Sequence, residues 1–137
     1  MHKSAAGRIL VADNDEDILI ALESALENGG YATTVAWSGA EARKLLSEVN
    51  FDLLVLDDYL SDADSVQTLT ECRGAGIEPL VVVTYHRFPS VHEESRLRDL
   101  GVRALVNKRA HLELIQVVDH LLMPRWTGTR NPFDTDT

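Results

Sequence analysis

Four stretches of the chain are apolar without interruption: Ile9-Leu10-Val11-Ala12, Leu53-Leu54-Val55-Leu56, Leu80-Val81-Val82-Val83 and the shorter Ala104-Leu105-Val106. A strand with one wet face alternates apolar and polar residues, so runs without alternation predict strands covered on both faces, as in a parallel sheet. Residues 31–36 (Tyr-Ala-Thr-Thr-Val-Ala) are more polar and read as an edge strand. Between the strands the spacing turns helical. Ile18, Leu22, Ala25 and Leu26 stand at i, i+4, i+7, i+8, and Ala42, Leu45, Leu46 and Val49 at i, i+3, i+4, i+7. Ile115, Val118, Leu121 and Leu122 make a third such face. Segments 65–73 and 91–100 have poorer apolar faces, and their helices rest on start signals and position.

Those signals agree with the periodicity. Gly29-Gly30 closes the first helix, Ser38-Gly39-Ala40-Glu41 and Ser90-Val91-His92-Glu93 have the spacing of capping boxes, and Asp64 followed by Gln67 is a weaker opening. Strand then helix, five times over, predicts an α/β fold: a doubly wound, five-stranded parallel sheet with right-handed crossovers and helices on both faces. Residues 8–123 make one domain, preceded by an N-terminal extension, 1–7. Residues 124–137 contain two prolines, one glycine and no periodicity, which reads as a tail or linker stub.

The 137 residues suit a single core, since cores usually serve roughly 100–200 residues. No apolar run approaches the roughly 20 residues that span a bilayer, and no signal-peptide core precedes the first strand. The expectation is a cytoplasmic protein without membrane insertion. With 13 basic against 22 acidic residues, net −9, a nucleic-acid partner is not expected, because such binding rests on Lys and Arg neutralising phosphates. One cysteine, Cys72, excludes an internal disulfide, and His2, His86, His92, His111 and His120 lack metal-ligand spacing.

Ligands of open α/β sheets sit beyond the carboxyl ends of the strands, where strand order reverses. The residues there are Asp13 and Asn14, then Asp57 and Asp58, then Thr84, then Asn107 and Lys108. In the strand order 2-1-3-4-5, Asp13 and Asp57 face each other across the switch point. Crowded carboxylates repel, and a hard divalent cation such as Mg²⁺ relieves them. A lysine and a threonine hydroxyl complete a set suited to phosphoryl transfer, in which a carboxylate can be the nucleophile. Neither GxxxxGK[ST] nor GxGxxG occurs, which disfavours nucleotide binding.

These pieces in this order carry a resemblance. Residues 9–15 (Ile-Leu-Val-Ala-Asp-Asn-Asp), 51–57 (Phe-Asp-Leu-Leu-Val-Leu-Asp), 82–84 (Val-Val-Thr) and 101–108 (Gly-Val-Arg-Ala-Leu-Val-Asn-Lys) are similar to the response-regulator receiver domains of two-component signalling. The resemblance runs from Arg8 to about Met123 and implies a flavodoxin-like (βα)5 fold. It further implies that Asp57 accepts a phosphoryl group from a histidine kinase or phosphotransfer protein. Asp13, Asp57, Asn14 and the Tyr59 backbone carbonyl would then form the Mg²⁺ pocket, and Thr84 and Lys108 would bind the phosphoryl oxygens. Chemistry would be limited to Mg²⁺-dependent self-phosphorylation and dephosphorylation at Asp57. The phosphorylated chain would act on a downstream protein target as a stand-alone receiver, with a phosphorylation-linked homodimer as a further expectation.

The chain also departs from the family pattern. Asn14 stands where a second acidic residue is usual, and Asp15, Asp58 and Asp62 are the candidates to replace its charge. Tyr85 follows the threonine where a small residue is usual, Leu105 replaces the switch aromatic, Arg109 replaces the proline after the lysine, and Ser65 replaces a glycine. These losses motivate an alternative, a degenerate receiver that serves as a phosphorylation-independent interaction module. A hydrolase using Asp57 would need a second acid/base carboxylate two residues on, where Tyr59 stands.

Overall fold

Five strands and five helices alternate through residues 6–123, the part of the chain that this computed structural model describes. They are β1 (Arg8–Ala12), α1 (Glu16–Asn28), β2 (Ala32–Ala36), α2 (Gly39–Glu48), β3 (Leu53–Asp57), α3 (Ser65–Gly74), β4 (Val81–Tyr85), α4 (Val91–Asp99), β5 (Val102–Asn107) and α5 (His111–Leu122). The tail expected at 124–137 and most of the N-terminal extension lie outside the described residues. All pairings are parallel and the sheet order is β2-β1-β3-β4-β5, as the apolar runs predicted. The polar stretch forms β2 and lies at an edge, while β3 is buried along its whole length.

Side chains of a strand alternate between faces, so each buried strand feeds two cores. Ile9, Val11, Leu53, Val55, Val82 and Val106 pack with Leu19, Leu22 and Leu26 of α1 and with Leu114 and Val118 of α5. Leu10, Ala12, Leu54, Leu56, Val81 and Val83 form the other core with Ala42 of α2, Leu69 of α3 and Leu97 of α4. Each fully covered aliphatic side chain is worth on the order of 1.5–3 kcal/mol on leaving water, so the two cores together hold the sheet.

Two helix faces differ slightly from their predicted stripes. In α1 the buried residues are Leu19, Leu22 and Leu26, with Ile18 half-buried; in α5 they are Leu114 and Val118, with Ile115, Leu121 and Leu122 packed at the margin. Apolar residues at adjacent positions, Ile18-Leu19 and Leu114-Ile115, leave the phase of a 3.6-residue period open by one residue. Two helix starts differ from the reading of the sequence. The cap of α1 is Asp15, which that reading did not name as a cap: it accepts from the N–H groups of Asp17 (2.9 Å) and Ile18 (3.3 Å), while Asp64 caps α3 as read, accepting from Gln67 N–H (2.7 Å). Ser90 and Glu93 close a reciprocal box, each bond 3.1 Å. Ser38 accepts from Glu41 N–H (3.0 Å), but the Glu41 carboxylate takes the N–H of Trp37 (2.7 Å), not that of Ser38, so this box does not close. After α1, Gly30 adopts φ +98°, a left-handed turn that a side chain would strain.

Candidate functional site

Strand alternation alone brings the candidate residues together. Asp13, Asp57, Thr84 and Lys108 each lie two positions beyond a member of the α1/α5 core, namely Val11, Val55, Val82 and Val106. They therefore extend that face of the sheet past its apolar end. Asp13 still bonds the sheet, its N–H donating to Ala36 C=O at 3.1 Å. Asp57 ends β3 in register with Thr84 of β4, and the Lys108 N–H donates to Tyr85 C=O at 2.9 Å. Asp13, Asp57 and Thr84 are buried, at 1%, 4% and 1% exposure.

Lys108 joins the two aspartates. Its Nζ lies 3.0 Å from Asp57 Oδ2 and 3.2 Å from Asp13 Oδ2. Asp13 Oδ1 accepts from Asp15 N–H (2.9 Å), whereas Asp13 Oδ2 is buried without a hydrogen bond, since Lys108 approaches it at ion-pair distance but off the bonding direction. Burial pushes the Asp57 carboxyl up to about 6; the bond from Lys108 pulls it down, and the charge of Asp13 pushes it up again. For Lys108, burial opposes the charged form, but the bond to Asp57 and the charges of Asp57 and Asp13 outweigh it and hold the ammonium above its ordinary value.

Above this triad opens a pocket of about 420 Å³ lined by Asn14, Asp57, Asp58, Tyr59, His86, Arg87 and Lys108. Asn14 is exposed at the rim, and Tyr59 is exposed with its N–H 3.5 Å from Asp57 Oδ1. Thr84 does not line the pocket; it is buried beside Asp57. His86 and Arg87 were not legible as site residues. Their only signal was position, just past the strand end that Tyr85 closes.

Two of the three candidates to replace the charge at Asn14 are committed elsewhere, which corrects that expectation. Asp15 caps α1, and Asp62 accepts from the Gly39 (2.8 Å) and Ala40 (3.0 Å) N–H groups at the start of α2. Asp58 does line the pocket, but its Oδ1 accepts a 2.5 Å bond from the buried Ser65 hydroxyl. That bond gives the serine a role where a glycine was expected. Burial raises the Asp58 carboxyl, Ser65 lowers it, and Glu93 and Asp64 raise it. Tyr85 packs edge-to-face on Phe88, centroids 5.1 Å apart at 86°. Leu105 is half-buried against the second core, and Arg109 follows Lys108 through a trans peptide, its N–H on Asn107 Oδ1 at 2.9 Å.

Among the described residues no three Asp, Glu, His or Cys side chains gather as a metal group. Two carboxylates nonetheless suffice for Mg²⁺, which usually keeps several waters and takes one or two carboxylates. The buried Oδ2 of Asp13, which lies beside Asp57 and accepts no hydrogen bond, fits such an ion.

Comparison with known proteins agrees with this geometry. Residues 9–119 match the response regulator receiver domain family. The transcriptional regulatory protein PrrA of Mycobacterium tuberculosis is 38% identical over 130 residues, covering 95% of this chain and 56% of PrrA, so the chain spans about half the length of that relative. Among solved structures, the Francisella response regulator 1452 receiver domain superposes with a TM-score of 0.77 at 28% identity, covering 85% of this chain and 96% of the other. The response regulator TrrA of Thermotoga maritima, in complex with Mg²⁺-BeF, gives a TM-score of 0.72 at 28% identity, with coverages of 84% and 98%. The chain belongs to the receiver domains of two-component response regulators.

Proposed function

We propose that residues 8–123 form a working receiver in which Asp57 takes a phosphoryl group from a phosphohistidine of a histidine kinase or phosphotransfer protein. The observation that carries this reading is Lys108 bound 3.0 Å from Asp57 and 3.2 Å from Asp13 at the floor of an open pocket. An Asp57 oxygen attacks phosphorus while the P–N bond breaks and its electron pair returns to the imidazole. Asp13, Asp57, the Tyr59 carbonyl and Asn14 would hold Mg²⁺, which supplies charge to the transferring phosphoryl oxygens. Lys108 adds a fixed cation that needs no reorganisation, because both carboxylates already orient it. Thr84, in register with Asp57, supplies a hydroxyl donor. The acyl phosphate then shifts the face of α4, β5 and α5 toward binding a protein target, with dimerisation of this chain as an accompanying outcome.

Intact-mass measurement after incubation with Mg²⁺ and acetyl phosphate tests the reading. Wild type should gain one phosphoryl mass and Asp57→Asn none. Equal labelling of Asp57→Asn sinks the assignment. Failure to label wild type with acetyl phosphate and with a panel of histidine kinases favours the phosphorylation-independent interaction module instead.

A further inference from the structure

Arg87 has no structural employment that accounts for its place. It lines the Asp57 pocket from the β4–α4 loop, and the ion pairs formed among the described residues leave it unpaired. The loop is braced at both ends of the His86-Arg87 step. Before it, Tyr85 stacks edge-on against Phe88 and its carbonyl takes the Lys108 N–H; after it, Pro89 is buried and Ser90 locks α4 through its capping box. The large Tyr85, unusual at its position, thus helps present the residue that follows it but one.

We infer that Arg87 is a phosphoryl-oxygen contact in this pocket and sets its affinity for the anionic donor group; the inference rests on Asp57 being the acceptor. Lys108 is committed to two carboxylates at the pocket floor. With Asn14 neutral, the pocket also has one carboxylate fewer for a metal. A guanidinium presents a planar fork of N–H donors that pairs two phosphoryl oxygens at once, which a lysine cannot do. Arg87, lining the same pocket, therefore takes over part of the anion binding.

The test is the rate of phosphoryl gain against acetyl phosphate concentration at saturating Mg²⁺. Arg87→Ala should raise the half-saturating concentration about tenfold, the loss of one charged contact, with the maximal rate and the Mg²⁺ midpoint much less affected. Arg87→Lys should recover only part of this, and sulfate should compete against wild type more strongly than against Arg87→Ala. Equal half-saturating concentrations in wild type and Arg87→Ala overturn the inference while leaving Asp57 as acceptor. A second measurement does not need transfer. In an Asp57→Asn background, orthophosphate should shift the backbone amides of residues 85–88 and 108 in NMR spectra, with a midpoint about tenfold higher once Arg87→Ala is added. Equal midpoints there overturn it whether or not wild type is ever labelled.

Discussion

Asp57 is held where its charge is expensive. It is almost fully buried and Asp13 repels it, and Lys108, with a small help from the Tyr59 N–H, offsets only part of the cost, so its carboxyl is pushed up to about 6 from the ordinary range of about 4. A carboxyl raised in the folded state binds protons there that the unfolded chain has already released. The penalty is therefore fully present above about pH 6 and is relieved as pH falls through 6 toward 4. Asp57→Asn removes the penalty. In metal-free buffer the variant should be more stable than wild type by about 1 kcal/mol near pH 7.5, the usual trade of stability for a poised site. The difference should close as pH falls toward 4.5. Urea titrations at both pH values measure this, and a variant less stable than wild type at pH 7.5 would show that Lys108 repays the burial in full. The residues of this triad were legible because strand ends and period-2 alternation place them without further information. Arg87 was not, because the direction of a loop after its strand is set by Tyr85 packing on Phe88, a contact that no periodicity encodes.

The helix starts show a second kind of information at the scale of elements. Ser38, Asp64 and Ser90 could be read as caps from their own neighbourhood, because a cap needs only the three residues that follow it. The start of α2 also uses Asp62, from the loop after β3, which takes two N–H groups that Ser38 does not reach. Those two bonds are the main reason the Asp62 carboxyl sits below its ordinary value. The contact ties the loop that carries Tyr59 to a neighbouring helix, and a Cβ on Gly39 would meet Asp62 Oδ1 at 3.3 Å and Thr68 Oγ1 at 3.1 Å. Asp62→Ala should cost about 1 kcal/mol, the typical loss of a helix cap, although Asp62 is exposed and would pass as a solvated charge. The urea midpoint should fall with an unchanged m-value. No change in midpoint would mean that water replaces the carboxylate at no cost.

The order of the whole sheet was legible because five apolar or β-branched runs, separated by helical segments, leave few topologies that keep crossovers right-handed. What closes the molecule was not, because it joins residues far apart in the chain. Tyr31, just before β2, is buried, and its hydroxyl donates a 2.5 Å hydrogen bond to Asp119 of α5, 88 residues away. The last helix has no side-chain cap at its start, so this bond and the apolar contacts of Leu114 and Val118 are what dock it. Burial, then the bond and the charge of Asp119, raise the Tyr31 phenol above its ordinary value. The folded state thus keeps this proton where the unfolded chain loses it, and the contribution is whole below about pH 10 and fades as pH rises beyond that. Tyr31→Phe keeps the ring and removes the bond, and should cost about 1 kcal/mol at pH 8. The two proteins differ only at residue 31, so the gap between the two urea midpoints should narrow from pH 9.5 to pH 11. Equal midpoints for the two proteins at pH 8 would place the value of Tyr31 in its ring packing alone and release Asp119 from any part in docking α5.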